Sequence, residues 1–320
     1  MFRRILQATI GFFIRFSGLY RLLSLLVWRR RTTILVYHDP DSKVFARHIK
    51  FLSKYHTFIS LSRLVEAIYK KDKSGMPIAP LVVTIDDGHK GNIHLLPTIK
   101  AYNLRPMIYL CSHIVNTRRH FWWKSGHPDP YALKSLPNSQ ALALLQREAN
   151  FYPEKTYPDR QALSESEMME LQPYVEFGSH TKFHPILTNC GPQECEDEIR
   201  DSKACLEELL DRRVDHFCFP NGNYGEREIN LLKKHHYRSA RTLEWGRNRV
   251  HTDPFKLEAV EILDDSSINL LCAQLCGFWG WFRKMRVKFQ KPLAGPSVRT
   301  AVAESVVSEK AIEEAPVPVQ

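Results

Sequence analysis

The sequence lacks several features that would place it in a specialised class of protein. It has no internal repeat and no glycine-rich or glutamine-rich tract, and its 43% hydrophobic and 25% charged residues are typical of a folded globular chain. Its seven cysteines are scattered and form no C-x-x-C pair, which argues against a zinc ribbon or a disulfide framework and favours a reducing compartment. A chain of 320 residues has room for one domain of roughly 200 to 250 residues with flanking segments.

Acidic residues are absent from residues 1–31, which hold seven arginines, and from residues 279–291, which hold five lysines and arginines. The tail from residue 292 holds two bases and four acids, so these segments account for the whole net charge of +10 and residues 32–278 are neutral. A nucleic-acid-binding domain would spread basic residues over a folded face, and this distribution argues against such a partner. Because both basic flanks are rich in large apolar residues, they indicate a membrane surface.

The N-terminal segment is strongly apolar, but no uncharged run of about 18 residues exists for a simple spanning helix, and no small-residue cleavage site marks a signal peptide. Its polar and small positions predict one narrow stripe along a helix: Arg4, Gln7, Gly11, Arg15, Gly18 and Arg21. An interfacial helix, a helix packed on the protein's own barrel, and a spanning or signal segment are the alternatives. An interfacial helix, together with cysteines that favour a reducing compartment, predicts a cytoplasmic protein bound peripherally to the inner face of the membrane.

Between the flanks, short apolar strands alternate with amphipathic helices, which predicts a parallel α/β sheet, either open or closed into a barrel. The predicted strands are residues 32–37, 81–85, 106–110, 175–178, 216–219 and 255–262. The predicted segments are a basic amphipathic segment 1–31, a catalytic domain 32–265 with an insertion 118–161, a basic aromatic helix 266–291 and a disordered tail 292–320.

Every unusual polar cluster follows the carboxyl end of a predicted strand. Active sites of parallel α/β folds are built at that rim, so four clusters arriving there indicate a catalytic site. The clusters are Tyr37-His38-Asp39, Asp86-Asp87-Gly88, Ser179-His180 and Pro220-Asn221-Gly222.

Two of these clusters have the chemistry of a metal site. The adjacent carboxylates of Asp86 and Asp87 repel each other unless a cation or a raised pKa relieves them, although a solvated turn explains the pair equally well when it is taken alone. His180 and His184 have a spacing that can put both rings on one face of a helical turn, as in metal sites, although surface histidines show it too. Two imidazoles and one carboxylate leave a position for water on a catalytic zinc ion, and the second carboxylate is then free to act as a base.

With these residues the chain resembles the polysaccharide deacetylase family, that is, the NodB-homology domain or carbohydrate esterase family 4. Residues 84–88 (T-I-D-D-G) match the family's T-F-D-D-G motif with Ile85 in place of phenylalanine, and residues 180–184 (H-T-K-F-H) match H-[ST]-x-x-H. The similarity extends from residue 34 to about residue 260 and includes the Tyr37-His38 pair.

The resemblance implies a distorted (β/α) barrel and a single divalent metal, usually zinc. It implies ligands at three matching positions: Asp87, His180 and His184. Asp86 would be the general base that takes a proton from the attacking water. His38, Pro220 and Asn221 would face the substrate, and a backbone N–H near Asn221 would help to hold the oxyanion.

The chain departs from the family pattern in two places. Residues 218–222 (C-F-P-N-G) stand where the third motif often has R-x-P-Y-G, so the arginine that orients the base is missing. The family's late histidine is not evident near residues 255–263, and the remaining candidates for the proton donor, His235 and His251, fit ordinary surface positions better. Trp122 and Trp123 suit stacking on a sugar and packing of the insertion equally well.

These observations predict a metal-dependent hydrolase that removes N-acetyl groups from an amino-sugar-containing glycan or a lipid-linked saccharide at a membrane. The alternative is a catalytically impaired sugar-binding or membrane scaffold protein of the same fold. The missing arginine and late histidine favour that alternative, and the four retained motif positions argue against it. A different amidase chemistry at the same site is a third reading. The sequence identifies no partner protein and no particular sugar.

Overall fold

A parallel β-sheet lies at the centre of the computed structural model, which describes residues 2–277 of the chain. Its strands are β1 (Thr33–Tyr37), β2 (Thr57–Phe58), β3 (Pro80–Ile85), β4 (Met107–Leu110), β5 (Glu176–Ser179), β6 (His216–Cys218), β7 (Ser239–Trp245) and β8 (Leu257–Glu261). The order in the sheet is β1-β8-β7-β6-β5-β4-β3-β2, and β1 also pairs with β3. Seven strands therefore close into a barrel, with β2 beside the first residues of β3, and the predicted distorted (β/α) barrel is confirmed.

Ten α-helices of the described residues accompany the sheet: α1 (Phe2–Phe16), α2 (Leu19–Leu26), α3 (Ser42–Leu52), α4 (Leu61–Lys70), α5 (Leu96–Ala101), α6 (Asn138–Ala149), α7 (Glu165–Leu171), α8 (Pro192–Leu210), α9 (Glu226–Lys234) and α10 (Ile268–Cys276). Local hydrogen bonds explain several of their starts. The Asp41 side chain accepts from two backbone N–H groups of the first turn of α3. Ser164 and Glu167 form the predicted capping box of α7.

The strands β1 and β3 are buried along their whole length, as their β-branched and apolar sequences predict. They pair in register from Thr33 opposite Leu81 to Tyr37 opposite Ile85. The backbone N–H of Asp86 then donates to the carbonyl of Tyr37 at 2.8 Å. This register brings the polar residues that follow both strands to the same level of the rim.

The sequence pattern does not predict two strands, β2 and β7. The first is only two residues long. The second has the sequence S-A-R-T-L-E-W. Its arginine, Arg241, interrupts the apolar run by which a buried strand is recognised. The Arg241 side chain is fully buried, so a residue type that is usually exposed belongs here to the interior of the barrel.

Residues 118–161, between β4 and α7, pack around a small hydrophobic cluster of their own. Its buried members are Leu133, Ala141, Leu145 and Phe151. Phe121 of the same segment belongs to the core of the barrel, so the insertion has packing of its own and is also anchored in that core.

The helices α1 and α2 meet at Gly18, whose φ is 75°, and are bent by 73° relative to each other. Tyr20 Oη lies 2.9 Å from Nε2 of His56, whose Nδ1 lies 3.1 Å from the carbonyl oxygen of Ala79. Burial lowers the pKa of His56 to about 4, so a neutral imidazole fixes α2 to the barrel. No single helix of the described residues has the length and hydropathy to cross a bilayer; only the bent α1–α2 pair passes that test jointly.

The helix α10 occupies the first part of the predicted segment 266–291. The rest of that segment, including the aromatic and basic residues 279–291, lies outside the described residues, as does the predicted tail 292–320.

Candidate active site

Side chains from four strand ends surround a cavity of about 350 Å³. His38 follows β1, Asp86 and Asp87 follow β3, His180 follows β5, and Asn221 lies in the turn after β6. Parallel strands end on one edge of a barrel, so residues far apart in the chain meet there. Of the predicted site residues, six line the cavity: His38, Asp86, Asp87, His180, His184 and Asn221. Pro220 is buried in the same turn and does not line it.

Three atoms of the metal-ligand type converge in this cavity. Asp87 Oδ1 lies 3.4 Å from His180 Nε2 and 3.6 Å from His184 Nε2, and the three side chains are at most 12% exposed. A tetrahedral zinc ion with bonds of about 2.0–2.1 Å holds its ligands about 3.3–3.4 Å apart. Asp87 Oδ1 has no hydrogen-bond partner among the described residues, which is costly for a buried carboxylate oxygen. The donor set and its unpaired oxygen fit one divalent cation.

The two histidines are held by a loop and not by a helix. The helical turn that their spacing allows is not formed, because residues 180–184 are irregular and Thr181 and His184 have φ values of 66° and 63°. The Thr181 hydroxyl accepts from the backbone N–H of His184 at 2.9 Å, and Glu198 of α8 accepts from that of Lys182 at 2.7 Å. A positive φ costs of order 1–3 kcal/mol at a residue other than glycine, and residues with such a backbone are concentrated at functional sites.

The site holds its groups in the protonation states that metal ligation requires. Burial lowers the pKa of His184 to about 3 and also lowers the pKa of His180. His180 Nδ1 donates to the carbonyl of Cys218 at 2.8 Å, so its Nε2 keeps a free lone pair. Burial acts to raise the pKa of Asp87, but the hydrogen bond from His89 and the nearby imidazoles keep it below its ordinary value.

His89 orients the Asp87 carboxylate through its second oxygen. Its Nε2 lies 3.1 Å from Asp87 Oδ2, and Lys124 of the insertion lies 3.3 Å from its Nδ1. Because a lysine ammonium can only donate, His89 accepts at Nδ1 and donates from Nε2. The sequence motifs do not include His89, although its place directly after Asp-Asp-Gly is a signal that could have identified it.

An arginine does orient the candidate base. Arg241 Nη2 donates to Asp86 Oδ2, and both side chains are buried. The expectation that this arginine is missing is therefore wrong: the third-motif position holds Cys218, and the neighbouring strand β7 supplies the guanidinium. The other oxygen, Asp86 Oδ1, is buried and has no hydrogen-bond partner among the described residues. Asp86 thus has one anchored oxygen and one free acceptor.

Replacing Arg241 by methionine is expected to destabilise the protein by roughly 3–5 kcal/mol, because the buried Asp86 carboxylate loses its counter-charge. The free energy of unfolding, from chemical denaturation followed by circular dichroism, measures the effect. The exposed Arg238→Met is the matched control and should change stability little. The double variant Arg241→Met/Asp86→Asn should recover part of the loss, since neither charge is then buried alone. An Arg241→Met protein as stable as the control would contradict this pairing.

A second group with ligand chemistry, Asp86, His180 and Cys218, lies beside the first. Arg241 bonds to both Asp86 and Cys218, so a fixed positive charge already neutralises this position. Burial also raises the pKa of the Cys218 thiol and keeps it protonated, whereas a metal ligand must be a thiolate. Of these two groups, only Asp87, His180 and His184 therefore fit a divalent cation.

The insertion borders the cavity with aromatic and basic side chains. Trp122 Nε1 donates to the carbonyl of His184 at 3.0 Å, and the centroid of the Trp123 ring lies 4.5 Å from that of His184. Both tryptophans therefore pack the insertion on the metal-binding loop, and both also line the cavity. Lys134 Nζ donates to Asn221 Oδ1 at 2.8 Å, so the insertion also holds this predicted substrate residue. Lys134 lines the cavity as well, and no sequence motif predicts it.

His235 and His251, the two remaining candidates for the proton donor, do not belong to the site. His235 bonds to a glutamate of α8, His251 is exposed, and neither lines the cavity. His38 does line it. Burial lowers the pKa of His38, but the carboxylates of Asp87 and Asp86 outweigh this effect and raise it above its ordinary value. Of the histidines that line the cavity, His38 is the one outside both the three-ligand group and the His89–Asp87 contact.

The chain is similar to known proteins in sequence and in fold. The family model described as polysaccharide deacetylase matches residues 73–240. YxkH of Bacillus subtilis (strain 168), whose name assigns it to the polysaccharide deacetylases, is 21% identical over 225 residues, which are 67% of this chain and 64% of YxkH. The chain therefore spans slightly less than two thirds of that relative.

Solved structures show the same fold at low sequence identity. The Streptococcus pyogenes deacetylase PplD in complex with acetate has a TM-score of 0.57 and 17% identity, over 77% of this chain and 99% of that one. IcaB from Ammonifex degensii has a TM-score of 0.58 and 15% identity, over 77% of this chain and 97% of that one. Both likenesses support the barrel architecture.

Proposed function

The chain belongs to the polysaccharide deacetylase family, and from this premise we propose that it is a metal-dependent hydrolase removing N-acetyl groups from an amino sugar. The amino sugar is part of a glycan or a lipid-linked saccharide. The observation that carries the proposal is the convergence of Asp87 Oδ1, His180 Nε2 and His184 Nε2 beside the free Oδ1 of Asp86. Two histidines and one carboxylate are a donor set of catalytic zinc sites, so zinc is the proposed metal.

In the proposed mechanism, Asp87, His180 and His184 hold the metal. When bound there, a divalent ion supplies Lewis-acid chemistry: it polarises the acetamide carbonyl and makes water more acidic. Asp86 is the general base and accepts the proton of the attacking water at Oδ1. Arg241 keeps the Asp86 carboxylate in one orientation through Oδ2.

Two further groups complete the proposed reaction. A backbone N–H of the turn at Asn221 donates to the negative charge that develops on the carbonyl oxygen. The departing amine needs a proton, and we assign its delivery to His38, which lines the cavity and belongs neither to the three converging ligand atoms nor to the His89–Asp87 contact. This assignment replaces the late histidine of the family pattern with a residue from the first strand.

The alternative of an inactive sugar-binding or scaffold protein has lost one of its two supports, because Arg241 provides the arginine that the third motif lacks. Trp122, Trp123 and Tyr131 line the cavity and offer apolar faces to a sugar ring, which supports a carbohydrate substrate. The seven cysteines are free thiols, which supports our further proposal of a reducing compartment such as the cytoplasm.

The test is acetate release from N-acetylated chito-oligosaccharides by the purified full chain. We expect release that stops on chelation and returns with added zinc, with the metal content measured by mass spectrometry. A protein that binds one equivalent of zinc but releases no acetate from a panel of N-acetylated sugars would favour the scaffold alternative. Cleavage of amides other than N-acetyl sugars would indicate a different amidase chemistry.

A further inference from the structure

The helix α1 turns its polar side toward the protein. Arg4 pairs with Asp265 at 2.7 Å, and Arg15 donates to the Asn269 side chain at 3.2 Å. Gly11 lies so close to the backbone carbonyl of Asn269 that a Cβ would clash there. Three positions of the predicted polar stripe thus contact α10 or the residues just before it. Ile10 and Ile14 of the same helix also pack against the core, so its inward side combines apolar and polar contacts while its phenylalanines remain outside.

The outward side of α1 and α2 exposes large apolar residues. We call this surface the N-terminal face; its principal members are Phe12, Phe13, Phe16, Leu22, Leu25 and Leu26. Phe13 is 65% and Leu26 is 70% exposed, and the ring centroids of Phe12 and Phe16 are only 4.5 Å apart. Contiguous apolar surface of this kind marks an interaction site in most soluble domains.

A basic cleft of about 300 Å³ adjoins the end of α2. Arg29 and Arg30, which follow α2 closely, line it together with Lys73 and Arg249. No carboxylate belongs to its lining among the described residues, and the chain has no acidic residue before Asp39. The N-terminal face is therefore followed directly in the chain by a cleft whose positive charge suits phosphate groups.

An anionic bilayer matches both properties, because its acyl chains accept apolar side chains and its headgroups attract arginines. A second copy of the chain is a poorer occupant, since two such faces would bring the same positive charges together. The bend at Gly18 also presents α1 and α2 as two short connected segments, a shape suited to lying on a surface.

We propose that the N-terminal face docks on an anionic lipid bilayer, with Phe13 and Phe16 in the interfacial layer and a lipid phosphate beside Arg29 and Arg30. The Arg4 partner, Asp265, directly follows Asp264, which accepts from the backbone N–H of His38. The docked face is thus connected to the rim of the active site. A site held at the bilayer suits a lipid-linked carbohydrate; this last point rests on the proposed function, whereas docking does not.

Vesicle flotation with the purified full chain tests the docking. We expect the protein to float with phosphatidylcholine vesicles that contain phosphatidylglycerol, less at high ionic strength, and not with phosphatidylcholine alone. Phe13→Ser/Phe16→Ser should weaken binding by about tenfold or more, through lost apolar burial. Arg29→Gln/Arg30→Gln should weaken it by about 30-fold, the effect of two basic residues at an anionic surface.

Two matched variants control for general surface effects. Tyr152→Ser/Met169→Ser removes exposed apolar side chains elsewhere, and Arg212→Gln/Arg213→Gln removes an exposed arginine pair; both should float like the wild type. Circular dichroism checks that every variant is folded. Equal flotation of all variants would overturn the proposal, because another part of the chain would then bind the lipid. So would flotation indifferent to lipid charge, no flotation at all, or a dimer that the phenylalanine variants dissociate.

Discussion

Alanine at either Asp87 or His184 is expected to remove the metal and abolish hydrolysis together. The described residues bring three ligand atoms together at this site, so removal of one leaves two donors, which should hold a divalent ion far more weakly. Loss of a mere outer partner of a ligand already costs about 10–100-fold in metal affinity, and loss of a ligand should cost more. Metal content by mass spectrometry and acetate release from the same preparations measure the two effects.

The control for this experiment is His251→Ala, which removes an exposed histidine outside the cavity and should change neither quantity. The ligand assignment would be wrong if Asp87→Ala or His184→Ala still bound one equivalent of zinc with wild-type affinity. Unfolding measurements separate loss of metal from loss of fold, because a protein that unfolds would lose both without any direct role of the residue.

Asp86→Asn is expected to keep the metal and to lower kcat by roughly 10²–10⁴. Asparagine preserves the shape of the side chain and can still accept at its carbonyl oxygen, but it cannot take a proton from water. The structure makes this separation possible, because Asp86 bonds to Arg241 and Cys218 and not to the atoms that converge on Asp87.

The two variants of the Asp-Asp pair therefore have different signatures. Asp87→Ala should lose metal and activity, whereas Asp86→Asn should lose activity at full metal content, with stability followed in both by chemical denaturation. Simultaneous loss of metal and activity in a folded Asp86→Asn protein would make Asp86 a ligand and exclude it as the base. Full activity in that variant would mean that another group accepts the proton.

The strands that surround the site differ in how well the sequence predicts them. β1 and β3 are runs of apolar residues followed at once by polar ones, and a local pattern is enough to identify both the strand and the functional residues at its end. β7 escapes the same analysis because Arg241 lies near its centre. A buried arginine is strongly destabilising unless a carboxylate pairs with it, and the local sequence does not show that partner.

The N-terminal helices show a similar limit. The spacing of Gly11 and Arg15 correctly indicates one helical stripe, but it leaves open which way that stripe faces. Only the packed structure shows that it contacts α10 and turns the phenylalanines outward, because the direction depends on a partner more than 250 residues away. Periodicity measures the difference between two sides of a helix and says nothing about which side is buried.

The sequence by itself determined the alternation of strands and helices, and the motifs directly after the strands, through the family that they resemble, determined the barrel class and the six predicted residues that line the cavity. The tertiary structure alone decided that Arg241 anchors Asp86 across 155 residues, that His89 is fixed by Lys124 of the insertion, and that a loop holds His184. Each of these depends on the closure and register of the whole barrel, which bring distant side chains together and exclude the water that would otherwise weaken their interactions.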